Sequence, residues 1–379
     1  MDIKDLGDVS FIQDFSIELI DVVNNKKIKL DPKYLCDSRI DYSKKDFDYS
    51  VISGYIIVNN VMQLEKLLDF TNDIIITVRY IDLRNNFILR DFQVISIDKS
   101  TLGPRENIKF NIQDRFSFVL SKTYKPRNFK DTSLSTILKE YLSLVKVYNN
   151  ITFEIEESPI IDYINITGNI DFLSSFRKES QKRGYLLYQT RKSIVFKKIE
   201  NIFKNSENSK FKYADNIKDR NYLHKILEYY ILPEDKNKTK SQGSSEYFDP
   251  VEDKMKILNS YNASDIGISS KENDIQFTQG KQLEKRPIIS NEGIIGETLL
   301  NYIENNRIEM YSYLDINDLD RFKSIDVILS GAPQDKDTSI TGNIKNSGKY
   351  TILSISDKFF SGFKCVSCVL LGRFDNNSK

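Results

Sequence analysis

One hairpin pattern is written twice in this chain, some 250 residues apart, and it constrains the fold more than anything else in the sequence. Tyr350-Thr-Ile-Leu-Ser-Ile-Ser-Asp-Lys358 leads through Phe359-Phe360-Ser361-Gly362 into Phe363–Phe374. Phe92-Gln-Val-Ile-Ser-Ile-Asp-Lys99 leads through Ser100–Pro104 into Ile108–Phe116. Each copy opens on an aromatic residue, carries Ile-Ser-Ile or Leu-Ser-Ile, reaches Asp-Lys, turns on glycine and closes on Arg-Phe. Alternation at period two with β-branched and aromatic residues predicts strands, and the glycine-containing break predicts a turn. Two ordinary hairpins alike by chance would explain this much. Two copies of one β-domain is the reading that organises the rest of the chain.

The residues before the first copy support a β-domain. Phe15, Ile17 and Leu19 alternate with polar neighbours, predicting a strand within 11–22, a turn at Asn24–Lys27 and a return strand from Ile28. A strand is expected over 49–58, with Ser53-Gly54 as a bulge or a close backbone approach. Residues 60–69 have the spacing of a short helix, and 74–80 and 87–97 form a hairpin running into the repeat. Residues 1–120 are thus expected to be a first β-domain, with strands enough for a small barrel or sandwich.

After Phe118 the pattern changes. Residues 124–129 read as an extended connector. Asp131-Thr132-Ser133 then offers N-caps to a helix with Leu134, Ile137, Leu138, Tyr141, Leu142 and Val145 on one face. A strand at 151–155 follows, then a helix capped by Asn169, with Phe172, Leu173 and Phe176 inward and Gly184 as its stop. A hairpin at 185–197 completes an inserted α+β domain, 121–205. Residues 206–232 are expected to start the second barrel, although 222–232 fits a helix or a strand equally. Residues 233–292 form a polar insertion, partly disordered or packed between subunits, and should be the first region nicked by protease. A helix at 291–305 and the second barrel occupy 293–374, with 375–379 a polar tail. The expected class is α+β, mainly β: two similar tube-like β-barrel domains with an inserted α+β domain and peripheral helices lying outside them.

Candidate reactive groups are few. The single histidine, His224, sits in an apolar stretch, where a structural role is the ordinary one. Cys365 and Cys368 have Cys-x-x-Cys spacing, but Cys36 is the only other thiol, short of a four-ligand zinc site, and in a strand the pair would face opposite ways. No phosphate-cradling glycine motif occurs. Arg177, Lys178, Lys182 and Arg183 read as cations closing a helix rather than an RNA contact, and Glu154/Glu156 as exposed strand residues. The formal net charge of +1 gives no field for nucleic acid, and no apolar run approaches a membrane span. The N-terminus lacks the pattern of a secretory signal. No catalytic, cofactor-binding or metal residue is expected, and no enzymatic activity. A cell-wall hydrolase or protease is the alternative, and the His/Asp/Glu or Cys/His set it needs is missing.

The order β-domain, then Asp131-Thr-Ser-Leu-Ser-Thr-Ile-Leu-Lys-Glu-Tyr-Leu142, then Asp171-Phe-Leu-Ser-Ser-Phe-Arg177 and Arg183-Gly-Tyr-Leu-Leu-Tyr188, then a second β-domain, resembles the baseplate central hub of contractile-tailed bacteriophages. The late-control protein D group and the N-terminal part of secretion-system spike proteins are related to it. The likeness runs from about residue 45 to 374. It implies a homotrimer whose six barrels match a six-fold tail tube, with the central spike, tube or tube-initiator proteins and surrounding baseplate proteins as partners. It also implies a place in the virion tail, assembled in the host bacterial cytoplasm, with no nucleic-acid binding and no membrane insertion. Spike proteins continue into a needle, so an end after the second β-domain is expected of a stand-alone hub.

Overall fold

The computed structural model describes residues 15–42, 49–59, 63–82, 86–100, 106–122, 127–143, 151–166, 170–204, 212–214, 226–232, 242–249, 254–262, 307–313, 316, 319–329, 348–360 and 364–373. The chain opens with strands β1 (Phe15–Asp21), β2 (Lys26–Leu30), β3 (Ser38–Asp41) and β4 (Ser53–Asn59), helix α1 (Leu64–Leu67), and strands β5 (Ile74–Ile81), β6 (Phe87–Ser100) and β7 (Asn107–Asp114). Helix α2 (Arg115–Ser121), β8 (Arg127–Ser133), α3 (Leu134–Ser143), β9 (Thr152–Ile155), β10 (Ile160–Ile166), α4 (Phe172–Gln181), β11 (Tyr185–Gln189), β12 (Ser193–Lys198) and α5 (Ile199–Lys204) make the middle. β13 (Lys212–Ala214), β14 (Ile226–Ile231), the hairpin β15 (Gln242–Asp249) and β16 (Lys254–Asn262), β17 (Arg307–Tyr313), β18 (Ser324–Ile328), β19 (Gly348–Phe360) and β20 (Lys364–Arg373) follow.

The two hairpins are β6–β7 and β19–β20, and they match at the level of single residues. Each first strand carries one extra residue at the same place: Ile95, between Val94 and Ser96, and Leu353, between Ile352 and Ser354. Val94 faces Ile112 and Ile97 faces Phe110; in the other copy Ile352 faces Leu371 and Ile355 faces Val369. A bulge shifts the face of every later residue, so a shared bulge means a shared register. The Asp-Lys pairs are one residue out of step: Asp98, opposite Lys109, holds the place of Ser356, opposite Cys368. Arg115 opens helix α2, whereas Arg373 ends β20, so the closing Arg-Phe likeness is not a structural one.

The match extends to five strands. β4 lies beside β7 as β17 lies beside β20, which places Gly54 and Ile308, Tyr55 and Glu309, and Ile56 and Met310 at equivalent positions. β5 flanks β6 as β18 flanks β19, so Ile76 corresponds to Ile325 and Val78 to Val327, all four buried. β3 lies outside β4 as β14 lies outside β17, and Ile40 corresponds to Ile231. The open choice at 222–232 is thus settled for 226–231 as a strand. β3 goes further and pairs with the far end of β19, Asp41 with Ser356 and Ile40 with Asp357, so the two β units are edge to edge in one sheet. Thirteen of the described strands belong to it. All its pairings are antiparallel except β13 with β18.

One apolar core serves both units, with Ile17, Val78, Phe110, Met310, Ile325 and Leu371 in one cluster and the Phe15 and Phe359 rings 5.5 Å apart. Strand β1 shows why: Phe15, Ile17, Leu19 and Asp21 are buried while the residues between them are partly exposed, the period-two pattern of a strand with one covered face. The expected close approach at Gly54 is real. A Cβ there would stand 2.1 Å from the Arg39 carbonyl oxygen, so only glycine lets β3 lie against β4.

The middle segment builds a second core from Phe116, Leu138, Tyr141, Phe172, Phe176 and Phe196. Asp114 caps α2 by accepting from Phe116 and Ser117 N–H, and Asp171, not Asn169, caps α4 by accepting from Ser174 N–H. Gly184, at φ 74°, ends the turn after α4. Residues 127–129, expected as connector, are part of strand β8, which pairs with β10. β3, β10 and α2 have no counterpart among the elements expected from sequence. Within 233–292 the described residues form only the β15–β16 hairpin, a sheet of its own. The helix expected at 291–305, and Val145 of the helix expected after Ser133, lie outside the described residues.

Candidate functional site

The turn joining β11 to β12 is pressed into the junction between the two β units, and it brings charge into the interior. Gln189 Nε2 donates to Asp114 Oδ2 at 2.7 Å and to the Ser50 carbonyl at 2.6 Å. Arg90 of β6 donates to the Thr190 carbonyl at 2.8 Å and lies 3.4 Å from Asp114. On the other side Arg191 forks onto Asp357 of β19, with Nε to Oδ2 at 3.0 Å and Nη2 to Oδ1 at 2.5 Å. Arg191 also donates to Ser367 Oγ at 2.9 Å and to the Leu319 carbonyl, and its guanidinium lies over the Tyr42 ring. Arg321 donates to the Tyr49 and Gln189 carbonyls at 2.6 and 2.8 Å.

All of these ionised groups are buried. An ion removed from water is tolerated only when paired and hydrogen-bonded, and here arginine forks meet carboxylates and carbonyls from three parts of the chain. Asp320 accepts from the Arg191 and Arg321 N–H groups; burial pushes its carboxyl above the ordinary range, against the pull of the Arg191 charge. The cluster fixes the inserted unit against both β units at once.

The second feature is the contrast between equivalent strand edges. Leu353 and Asp357 of β19 are fully buried; Asp357 pairs with Ile40 of β3 and is held by Arg191 of the inserted unit. Their counterparts on β6, Ile95 and Lys99, are open: Ile95 is 52% exposed, and Lys99, next to the equally exposed Asp98, faces solvent. Ile40 of β3 is fully buried, whereas its counterpart Ile231 on β14 is 49% exposed, beside Tyr230 at 48%. Among the described strands β14 ends the sheet, and β5 covers β6 only as far as Gln93.

The residues singled out for chemistry do not converge. His224 lies outside the described residues. Cys36 and Cys368 are not joined in a disulfide, and Cys365 and Cys368 stand three residues apart on one strand. Burial, and next the charge of Glu309 3.2 Å away, push the Cys368 thiol up to about 12. Lys182 and Arg183 pair with Glu179 at 2.8 and 2.6 Å, and Glu154 pairs with Lys197 at 2.8 Å. Glu156 accepts from Asn201 at 2.7 Å. Among the described residues no group of three or more potential ligands could hold a metal ion, and no helix is long and apolar enough to cross a membrane. Sequence reasoning missed the cluster around Arg191 and Asp357, because both have polar neighbours in sequence and nothing local marks them as buried.

No protein-family model matches the chain, and no curated protein matches it. Solved structures do. A tail protein from Neisseria meningitidis MC58 superposes with TM-score 0.60 at 10% identity, over 95% of this chain and 96% of that one. The 43 kDa tail protein of prophage MuSo2 from Shewanella oneidensis gives 0.57 at 12% identity, over 96% and 98%. A chain of the Francisella PdpA-VgrG complex gives 0.52 at 12% identity; 95% of this chain covers 58% of that one. At such identities the likeness is one of fold. The fold is mainly β and is shared with phage tail proteins and with part of a VgrG complex, as the sequence resemblance implied.

Proposed function

We propose that the protein is a structural hub of a phage tail baseplate, a homotrimer that joins the tail tube to the central spike. The observation that carries this is the duplicated five-strand unit, matched down to the bulges at Ile95 and Leu353. Two like units in one chain let three chains present six like units, which reconciles a three-fold spike with a six-fold tube. The units would be related by a rotation of about 60°, the step of a six-fold ring. In this reading 1–120 and 206–232 with 293–374 form the ring, while 121–205, 233–292 and the peripheral helices decorate its outside.

No step of covalent chemistry is assigned to the protein; its work is to hold geometry, and the buried arginine cluster suits that role. Its partners would be further copies of itself, the spike, tube or tube-initiator proteins and neighbouring baseplate proteins. Its place would be the virion tail, after assembly in the bacterial cytoplasm. The match to a VgrG complex supports the hub of a related contractile injection system as a second reading. Light scattering behind size-exclusion chromatography tests the proposal: a species of three times the 44.1 kDa chain mass is expected. A protein that stays monomeric at high concentration and in the presence of its spike would overturn it. Peptidoglycan, peptide and nuclease assays should be blank, and activity lost on His224→Ala would count for the enzyme alternative.

A further inference from the structure

The two β units differ in one respect that their shared register makes informative. Inside the chain, β3 of the first unit pairs with the far end of β19 in the second. The counterpart of β3 is β14, and the counterpart of that end of β19 is the end of β6. Among the described strands both counterparts are open edges, and they are exposed where the internal joint is buried: Ile231 against Ile40, and Asp98 and Lys99 against Ser356 and Asp357. Open edges with apolar residues are templates for pairing, and a chain with one such edge of each kind pairs head to tail with itself.

We propose that β14 of one copy pairs antiparallel with the end of β6 of the next copy, repeating between chains the β3–β19 joint made within each chain. The register follows from the equivalences. Asp41 opposite Ser356 becomes Leu232 opposite Asp98, and Ile40 opposite Asp357 becomes Ile231 opposite Lys99. The internal joint also carries a hydrogen bond from Tyr42 N–H to the Ile355 carbonyl at 2.8 Å, which sets Asp41 and Ser356 as the close, non-hydrogen-bonded pair next to it. Leu232 and Asp98 inherit that close pairing. This inference rests on the trimeric reading and adds to it which edges meet and in what register.

Paired cysteines test it. In opposed strand positions the Cβ atoms come within disulfide reach, whereas a one-residue slip turns one side chain to the other face. The full-length chain carrying Asp98→Cys and Leu232→Cys is oxidised mildly and run on a non-reducing gel. The Lys99→Cys, Leu232→Cys chain and the parent, with its native thiols, serve as controls. Disulfide-linked dimers and trimers are expected from the first chain and not from the controls. Light scattering before oxidation gives the assembly state independently. A trimer that fails to link through 98 and 232, or links equally through 99 and 232, overturns the edge pairing and leaves the hub reading standing. A linked ladder running past trimer supports the pairing and overturns three-fold closure. A monomer that does not link overturns both. Ile231→Lys supplies a second arm: it should shift the trimer to monomer with an unchanged circular dichroism spectrum, and an undisturbed trimer counts against the joint.

Discussion

Arg191 and Asp357, 166 residues apart in sequence, meet as a two-pronged ion pair with both side chains fully buried. One belongs to a turn of the inserted unit and the other to the second β unit. The pair therefore ties together parts of the chain that share no sheet.

Removing one partner leaves a buried charge alone. Asp357→Ala should destabilise the fold by about 3–5 kcal/mol, read from urea unfolding, and Arg191→Met by a similar amount. The double variant Arg191→Met, Asp357→Leu should lose less than the sum of the two, because it leaves no orphaned ion. Additive losses would show that the two groups do not act as a pair.

Gly54→Ala puts a methyl group 2.1 Å from the Arg39 carbonyl oxygen, and that neighbour is backbone, which cannot swing away. A loss of about 1–3 kcal/mol is expected. Since β3 is also the strand that joins the two units, hydrogen exchange at Ser38–Asp41 should quicken in the variant. Unchanged exchange there would contradict the close approach.

Burial raises the Glu179 carboxyl pKa, but hydrogen bonds and charge from Lys182 and Arg183 lower it more, leaving it below the ordinary value. A depressed folded-state pKa means stabilisation that is present above the unfolded value and lost as pH falls through the folded one. Glu179→Gln should therefore cost on the order of 1 kcal/mol at neutral pH and progressively less below the ordinary glutamate range. An equal cost at both ends of that range would refute the ion-pair account.

With its thiol pushed up to about 12, Cys368 holds very little thiolate at pH 8. Its alkylation by iodoacetamide, followed by peptide mass spectrometry, should run on the order of 1,000-fold slower than that of an unperturbed thiol. Glu309→Gln should speed the reaction only in part, because burial, the larger cause, remains. Rapid labelling in the folded protein would show the site to be more open than described.

Much of the β architecture is legible in local alternation. Phe15, Ile17 and Leu19, or Ile108, Phe110 and Ile112, announce a strand with one buried face by their spacing alone. The duplicate hairpin is legible in the same way, including the core Ser96 and Ser354 that mark the end of the bulge. What misleads is likeness without register: the Asp-Lys pairs coincide as letters and stand one residue apart in space. β3 has only four residues, too few for a period to show. Asp171 rather than Asn169 is the cap because capping depends on which residue turns its side chain back to the N–H of Ser174.

By itself, then, the sequence determined the class of the fold, the two similar β units, the α+β insertion between them and the helical stop at Gly184, because each is written in contacts a few residues long. Tertiary structure decided that the units share one sheet through β3 and β19, that residues 226–231 end that sheet among the described strands, and that Arg90, Arg191 and Arg321 sit in the interior. Those outcomes depend on partners far away in the chain. A strand edge or a charge carries no local mark of whether it will be covered, and the free energy of burying it is set only when its partner arrives.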